Sequence, residues 1–373
     1  MNNKNLLFRS VFAALLVLAV SFMSPAKGAA LEIAHAKNFN IEYLSGDIKV
    51  VTDSEGRRML LVPDKAAVPA GYEKMTLVRT PVKHALFTST SYVGFLGKLG
   101  RESLYDSIAA VCTPLADWTV PQVSERMKQG KIQYIENSHM QPPSVERVID
   151  LKPDIVFSGG GDISGAKLRT QLDEAKVKYM VIMDYTETGD GAYIEWIKFF
   201  GAFYNLDKEA DRIYRDMTQK MSVLAKRASA VKKEKRPVVA LGLLFNGVVY
   251  TQGGNSNFRR NIERAGGIYA LQDLGADGGV QIGMEEFFEK CRGADILIYS
   301  SSPQYLQDKE VLISQNPLFA EFKAVKNDRV YIYDKGYYMN AAALDEKFED
   351  IVFILNPQLM PKGYSLRHYQ KLK

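Results

Sequence analysis

Aromatic, hydroxyl and amide side chains follow many of the segments that we predict to be strands. In parallel α/β sheets, ligands bind beyond the carboxyl ends of the strands. Aromatic faces contact apolar ring edges, while hydroxyl and amide groups orient polar rims. We therefore expect a cleft for a large, flat or amphipathic ligand such as a metal chelate or a macrocycle. The residues of this kind expected to line it are Thr90, Tyr92, Trp118, Tyr185, Asn246, Tyr337 and Tyr338.

Three shorter features add chemistry to these loops. Arg259 and Arg260 lie early in a predicted helix, where a guanidinium would pair with an anionic ligand if it is not simply exposed at the surface. We include Arg259 among the expected ligand-binding residues. Tyr338 and Met339 are types that can ligate haem iron, although a pair is too short to be specific. Residues 159–161 are three glycines, which we interpret as a turn that lets the backbone approach closely.

No catalytic combination of residues stands out. The sequence has no Gly-x-Ser-x-Gly elbow and no His-Glu-x-x-His motif, and its four histidines show no metal-ligand spacing. We predict no catalytic residue, no metal ligand and no cofactor. Two alternatives stay open. The first is a binding protein for a bare metal ion, which would use His84 and His139. The second is a secreted α/β hydrolase with a nucleophile among Ser89, Ser91 and residues 300–302.

Two segments of similar design lie in the two halves of the chain. Residues 144–158 and 283–300 each read as a short helix that opens with glutamate, then a turn, then Asp-Ile and a buried strand. The second copy has Ala294-Asp295 where the first has Pro153-Asp154. Such a repeat indicates two similar lobes, and a cleft between two lobes can close around a small ligand.

The order of predicted elements defines five regions. Residues 29–80 form a hairpin and a connector, with strands at 48–51 and 59–62. Strands alternate with helices over 81–190 and again over 233–373, which predicts two α/β lobes with mostly parallel sheets. Residues 191–232 are helical and include one helix from Asp207 to about Ala230, long enough to bridge the lobes. The fifth region is the N-terminal segment 1–28.

Residues 1–28 are typical of a cleaved signal peptide. Lys4 and Arg9 precede an apolar stretch that is too short to cross a bilayer comfortably, and Ala26 and Gly28 suit a cleavage site. No cysteine lies near that site, so we expect a periplasmic protein that is not a lipoprotein.

Removing the three basic residues of this segment lowers the net charge from +5 to about +2, which is not the strongly basic charge typical of nucleic-acid-binding proteins. The two cysteines lie in separate halves, as buried free thiols would.

The ordered motifs resemble the periplasmic substrate-binding proteins of ABC importers for iron–siderophore, haem and cobalamin, the helical-backbone metal receptors. The resemblance covers nearly all of the chain after residue 28, with residues 64–80 as an apparent insertion. The motifs that carry it are Asp53-x-x-Gly56-Arg57, Glu146 with Leu151-x-Pro153-Asp154-Ile155-Val156, the long helix, Gly266-Gly267, residues 324–331 and Leu355-x-Pro357.

This resemblance implies two Rossmann-like lobes joined by one rigid helix, with limited hinge motion. It implies that the protein, a monomer, delivers a metal chelate to an inner-membrane permease and its ATPase. In this family one glutamate on each lobe docks into arginine pockets of the permease. Glu146 matches the first docking position, and Glu285 or Glu286 matches the second. A glutamate in a first helical turn also favours the positive end of the helix dipole, so the residues alone leave both readings open.

Overall fold

The computed structural model describes residues 31–138, 141–161, 163–189 and 191–373. The predicted signal peptide and His139 lie outside these residues. Within the described chain, no helix combines the length and the apolar character that crossing a membrane requires.

A small sheet precedes the first lobe. Its strands are β1 (Asn40–Tyr43), β2 (Lys49–Thr52), β3 (Arg58–Pro63) and β4 (Leu77–Thr80). β1, β2 and β3 form an antiparallel meander, and β4 adds to β3 in parallel. The predicted hairpin is therefore present as β2 and β3. The connector between residues 63 and 80 ends in β4, a strand that the sequence pattern did not predict.

Asp53, in the hairpin turn, fastens this sheet to the first lobe. Its Oδ1 accepts the backbone N–H groups of Glu55 and Arg57, at 3.0 and 2.9 Å. Its Oδ2 accepts the backbone N–H of Val181, at 2.8 Å. The Arg57 guanidinium lies 4.0 Å from the ring centre of Tyr179. The Asp53-x-x-Gly56-Arg57 motif therefore serves as a structural clamp, because it satisfies turn and strand donors together.

The first lobe contains a five-stranded parallel sheet flanked by helices. Its strands are β5 (Ala85–Phe87), β6 (Ile108–Val111), β7 (Gln133–Tyr134), β8 (Ile155–Gly159) and β9 (Tyr179–Ile182), in the spatial order β7-β6-β5-β8-β9. Its helices are α1 (Thr90–Lys98), α2 (Pro121–Lys128), α3 (Val145–Leu151) and α4 (Ile163–Glu174). Short 3-10 segments are Glu102–Ser107, Leu115–Asp117 and Asp184–Thr186.

Two consecutive helices lead from the first lobe to the second. Helix α5 (Ala192–Phe203) is buried along nearly its whole length, and Phe199, Phe200 and Phe203 pack around Phe157 of β8. Helix α6 (Asp207–Ser229) has 23 residues and packs against α5 along its apolar face. At about 1.5 Å per residue α6 spans roughly 34 Å. The predicted bridging helix is confirmed.

The second lobe contains a seven-stranded mixed sheet. Its strands are β10 (Val238–Phe245), β11 (Val248–Gln252), β12 (Ile268–Tyr269), β13 (Gly279–Gly283), β14 (Ile296–Tyr299), β15 (Val330–Tyr333) and β16 (Tyr369–Lys371). Its helices are α7 (Asn257–Arg264), α8 (Met284–Cys291), α9 (Lys309–Gln315), α10 (Lys323–Lys326) and α11 (Leu344–Leu355). Short 3-10 segments are Lys233–Lys235, Pro317–Glu321 and Pro357–Leu359. β10, β12, β14 and β15 are parallel, and the two-lobed α/β fold is as predicted.

Asp154 and Asp295, the aspartates of the two repeated segments, make equivalent hydrogen bonds in the two lobes. Asp154 Oδ2 accepts the backbone N–H groups of Lys83 and His84, at 2.9 and 3.0 Å, just before β5. Asp295 Oδ2 accepts the backbone N–H of Val238, at 2.8 Å, where β10 begins. Each aspartate therefore anchors the start of the strand beside its own. Both copies need an aspartate for this contact, which explains why Asp-Ile occurs in both although the preceding proline occurs only in the first.

The lobes also touch each other away from α6. The segment 335–341 of the second lobe crosses to the first, where Lys335 Nζ donates to the carbonyl of Ala116 at 3.3 Å. A Cβ on Gly94 of α1 would lie 2.3 Å from the carbonyl oxygen of Met339, so only glycine permits this approach. Lys98 of α1 pairs with Asp345 of α11 at 2.8 Å. These contacts make the junction broader than a single helix.

Candidate functional site

Three cavities adjoin one another between the lobes, and one side chain lines all of them. The lobe-1 cavity has a volume of about 750 Å³ and the lobe-2 cavity about 810 Å³. A central cavity of about 220 Å³ lies between them. Tyr338 lines all three, Tyr193 is shared by the lobe-1 and central cavities, and Tyr337 by the central and lobe-2 cavities. Together they form one cleft.

The lobe-1 cavity lies at the carboxyl ends of the parallel strands. Its walls come from the loops after β5, β7, β8 and β9, as the rule for parallel sheets predicts. A Cβ on Gly161 would lie 1.7 Å from Tyr185 Oη, so glycine lets the Tyr185 ring approach that loop. Burial raises the pKa of Asp184 to about 6, although the Tyr185 N–H and the Tyr193 hydroxyl oppose that shift. The described lining of this cavity therefore combines apolar and hydroxyl-bearing side chains with the buried Asp184 carboxyl.

The lobe-2 cavity combines strand faces with a cluster of tyrosines. β10, β11 and β13 contribute much of its wall, together with Tyr333, Tyr337 and Tyr338. The rings of Tyr333 and Tyr337 stack with centres 3.8 Å apart and planes 4° apart. The Tyr338 ring stands almost perpendicular to both and is 65% exposed. An exposed aromatic face held by two others suits contact with a flat apolar ligand.

Three cationic side chains line the small central cavity together with apolar and aromatic ones. Arg260 and Arg264 reach it from α7, and Lys347 reaches it from α11. Lys347 is only 5% exposed, and its Nζ lies 4.0 Å from the ring centre of Tyr337. Burial lowers the pKa of Lys347 to about 7, with the charge of Asp334 acting in the opposite direction. None of the described residues that line this cavity is a carboxylate. Asp190, which lies between the lining residues Gly189 and Gly191 in the sequence, is not among the described residues.

Four of the eight expected ligand-binding residues line the cleft. They are Tyr92 and Tyr185 in the lobe-1 cavity, Tyr337 in the central and lobe-2 cavities, and Tyr338 in all three. All four follow the carboxyl end of a parallel strand, either directly or within a short helix. The strand-end rule therefore placed them without knowledge of the tertiary structure.

The other four expected residues do not line any of these three cavities. Trp118 is buried, and its indole N–H donates to the carbonyl of Thr113 at 3.0 Å. Thr90 begins α1 outside the lining, and Asn246 is exposed at the tip of the β10–β11 hairpin. Arg259 binds the carbonyl of Gly254 and the carboxylate of Glu263, each at 2.7 Å. It is Arg260, the next residue, that lines the central cavity.

Met339 is not presented to the cleft as a ligand for haem iron. It is buried, and its Sδ accepts hydrogen bonds from the backbone N–H and the hydroxyl of Thr119, at 3.3 and 3.2 Å. Ser89 and Ser91 do line the lobe-1 cavity, with their hydroxyls 2.9 Å apart. In the described part of the chain no histidine hydrogen-bonds to either serine. Nor do three or more His, Cys, Asp or Glu side chains of that part gather as metal ligands would.

The predicted docking glutamates are exposed near the cleft. Ser144 caps α3, and its hydroxyl donates to Glu146 at 2.7 Å, which lowers the pKa of that carboxyl. Glu285 and Glu286 occupy the first turn of α8 and are both exposed. Each site follows a cleft-lining residue closely: Pro143 precedes Glu146 by three positions, and Gln281 precedes Glu285 by four. The glutamates therefore lie near the cleft on separate lobes.

A family comparison identifies the class of protein. The model for periplasmic binding proteins matches residues 88–337, about two thirds of the chain. The chain belongs to the periplasmic binding protein family. This confirms the resemblance, and the solute-binding function of the family agrees with a cleft between two lobes. The sheet β1–β4 of this binding protein lies before the matched region.

Solved structures share the fold. A periplasmic haem-binding protein from Pseudomonas aeruginosa aligns with a TM-score of 0.59 and 17% identity, over 78% of this chain and 99% of the other. A possible iron-binding, periplasmic solute-binding protein from Staphylococcus epidermidis aligns with a TM-score of 0.56 and 18% identity, over 74% and 98%. At these identities the likeness concerns the fold.

Sequence relatives correct the predicted localisation. Two uncharacterised lipoproteins of Methanocaldococcus jannaschii are similar to this binding protein. MJ0878 is 25% identical over 91% of this chain and 85% of its own, and MJ0872 is 26% identical over 87% and 82%. The expectation of a protein that is not a lipoprotein is contradicted by these names. It depended only on the lack of a cysteine near residue 28, in the segment outside the described residues.

Proposed function

We propose that this binding protein captures an iron complex or related metal chelate, such as a siderophore, haem or cobalamin, and delivers it to an ABC import permease. The observation that carries the proposal is the position of Tyr338, which lines all three cavities. A ligand held against this ring contacts both lobes at once. The cavity volumes suit a large ligand, and the tyrosine cluster suits a flat or ring-shaped one.

The names of structural neighbours support the same class of ligand. Two are named as haem-binding proteins, and another is named for an Fe³⁺-hydroxamate transport system. Those names describe the neighbours, whereas the fold and the cleft belong to this chain. The lack of a gathered metal-ligand set among the described residues favours a chelate, whose own donors hold the metal, over a bare ion.

Titration of the purified protein tests ligand capture. The panel is haemin, ferric citrate, an uncharged ferric trihydroxamate and cyanocobalamin, followed by absorption and calorimetry. We expect one class to bind with a dissociation constant in the micromolar range or below. Tyr338→Ala should weaken binding about tenfold or more, because it removes the ring shared by all three cavities. Tyr305→Ala is the matched control, since Tyr305 is 69% exposed and lines none of them. Failure of the whole panel would refute the proposal.

Permease docking is the second part of the proposal. Arginine–carboxylate pairs are directional, so one exposed glutamate on each lobe would fix the orientation of the complex. Glu146→Lys should reduce chelate uptake by reconstituted transporter about tenfold or more while leaving chelate affinity unchanged. Glu285→Lys and Glu286→Lys, tested separately, identify the second docking residue. Glu174→Lys is the control, because Glu174 is exposed at the far end of α4. Loss of chelate affinity in Glu146→Lys would place that residue in ligand binding instead.

A further inference from the structure

We infer that the central cavity is an anion subsite, in which Lys347 and Arg260 hold an acidic oxygen group of the bound ligand. The inference rests on the proposed function and narrows it to anionic chelates, such as those carrying carboxylate or catecholate oxygens. The cavity has a volume of about 220 Å³, which suits one such group rather than a whole chelate. The flanking cavities then hold the remainder of the ligand.

Lys347 is buried and forms no ion pair among the described residues, although the charge of Asp334 acts on it from beyond ion-pair distance. It is 5% exposed, yet the structure gives its Nζ no hydrogen bond or ion pair, and its close partner is the face of Tyr337. Lysines are almost never buried this deeply unless they are paired. Its neighbours on α11 show the contrast, because Asp345 pairs with both Lys98 and Lys220. A buried ammonium group that lines a cavity and has no hydrogen-bonded partner among the described residues points to a partner supplied by the ligand.

Arg260 is held in place from two sides. Its Nη1 donates to the carbonyl of Asn255 at 2.6 Å, and its Nη2 donates to Oδ1 of Asn257. Its Nε is buried and has no hydrogen-bond partner in the described structure. Asn257 is itself fixed by the first lobe, since its Nδ2 donates to the carbonyl of Glu187 and its Oδ1 accepts the N–H of Gly189. The guanidinium is thereby oriented before any ligand arrives, which reduces the cost of binding.

The groups around Lys347 determine how binding depends on pH. Because the pKa of Lys347 is about 7, most of the side chain is neutral at pH 8 in the free protein. An anion in the cavity favours the ammonium form, so binding at pH 8 takes up a proton from solvent. Affinity should therefore fall as pH rises above 7. Among the described residues, the charged and titratable groups that line the same cavity or act on Lys347 are Asp334 and Tyr337 after β15, Arg260 and Arg264 on α7, and Tyr193 on α5.

The first test compares anionic and uncharged ligands. Lys347→Met and Arg260→Gln should each weaken the binding of ferric citrate about tenfold or more, and that of an uncharged ferric trihydroxamate less than about twofold. Lys362→Met is the matched control, because Lys362 is exposed and lines none of the three cavities, and it should change neither affinity. If chelates bind but both variants affect the two ligands equally, the anion subsite is refuted while the proposed function stands.

The second test needs no chelate. Calorimetry of citrate alone, at pH 8 in buffers of different ionisation enthalpy, should show net proton uptake by the wild-type protein and none by Lys347→Met. At this pH citrate has no titrating proton of its own. Citrate binding without proton uptake, or no citrate binding at all, would overturn the inference even if the variants of the first test fold poorly. Citrate binding with proton uptake but no chelate binding would refute the proposed function and keep the subsite.

Discussion

Two buried glutamates determine how the described N-terminal segment is held. Glu195 of α5 accepts the backbone N–H groups of Ala34, His35 and Ala36, at 2.7 to 2.9 Å. Glu187 accepts those of Lys37 and Asn38, at 3.0 to 3.1 Å. Backbone donors of an irregular segment thus find partners in side chains rather than in a sheet. The segment is fixed across α5 although it has no regular secondary structure.

Glu195→Gln should destabilise the protein by about 3 kcal/mol, because one side-chain oxygen is replaced by a donor that faces other donors. Burial alone would raise the pKa of Glu195, but the three N–H groups and Lys198 outweigh it, so its pKa is lowered. The stabilisation is therefore present above the unfolded pKa of about 4.3 and is lost as pH falls through the folded pKa. Urea unfolding at pH 7 and pH 4 measures it.

The exposed Glu174→Gln is the control for that measurement, since it should change the free energy of unfolding by less than about 0.5 kcal/mol. A Glu195→Gln protein as stable as the wild type at pH 7 would contradict the assignment. Equal losses at both pH values would show that charge is not the cause.

Sequence reasoning at this scale predicted the tyrosines that line the cleft and considered Arg260 beside Arg259, but it missed Arg264 and Lys347. Tyr92, Tyr185, Tyr337 and Tyr338 follow parallel strands, and a local rule sufficed to place them. The apolar pattern predicts a helix over residues 348–355, whereas α11 begins at Leu344, so Lys347 fell outside the predicted helix. A lysine facing inward leaves no periodic signal of its own, so tertiary packing alone reveals it.

Elements with strong local patterns were predicted well. Apolar runs predict strands over residues 108–111 and 330–333, and Ser256 before residues 257–265 is typical of a helix N-cap. The structure has both strands with these bounds and Ser256 at the N-cap of α7. The strands β4, β12, β13 and β16 were not predicted. Each depends on a neighbour that tertiary pairing provides, as when β16 pairs with β15 across 35 residues of intervening chain. Strand propensity is set largely by such neighbours, which a local window does not contain.

Gly94→Ala tests the contact between α1 and the segment 335–341. The new Cβ would lie 2.3 Å from the carbonyl oxygen of Met339, so the segment must move away. We expect a loss of about 1–3 kcal/mol in the free energy of unfolding. We also expect weaker ligand binding, because Tyr338 belongs to the displaced segment. Urea unfolding and chelate titration measure the two effects.

Gly293→Ala provides the comparison for that change, because a Cβ there meets nothing within 4 Å. If Gly94→Ala were as stable as Gly293→Ala, the close approach of the two lobes at this point would be refuted.

At the scale of the whole molecule, the lobes are joined in several places. Helix α6 packs against α5 of the first lobe and α11 of the second. Lys220 of α6 adds ion pairs to Asp345 and Glu349, at 3.5 and 3.0 Å. With the Lys98 pair and the crossing segment 335–341, relative motion requires several contacts to break together. We therefore expect limited hinge motion, in line with the resemblance.

Distances between spin labels on the two lobes test this expectation. Labels at Glu174→Cys and Glu310→Cys occupy exposed helical positions on separate lobes, and the native Cys112 and Cys291 are buried. We expect one narrow distance distribution that is nearly the same with and without the bound chelate. Labels placed on one lobe only, at Glu174→Cys and Lys128→Cys, give the width expected without hinge motion. A second population in the free protein would contradict a stiff junction.

The shared ring of Tyr338 makes the range of ligands depend on one replaceable side chain. It is 65% exposed, so exchanging it costs the fold little. A smaller residue would merge the three cavities and admit bulkier solutes, whereas tryptophan would narrow the passage between them. Divergence among related chains can therefore proceed by single changes at this position. In engineering, position 338 is the first to randomise when a new specificity is sought.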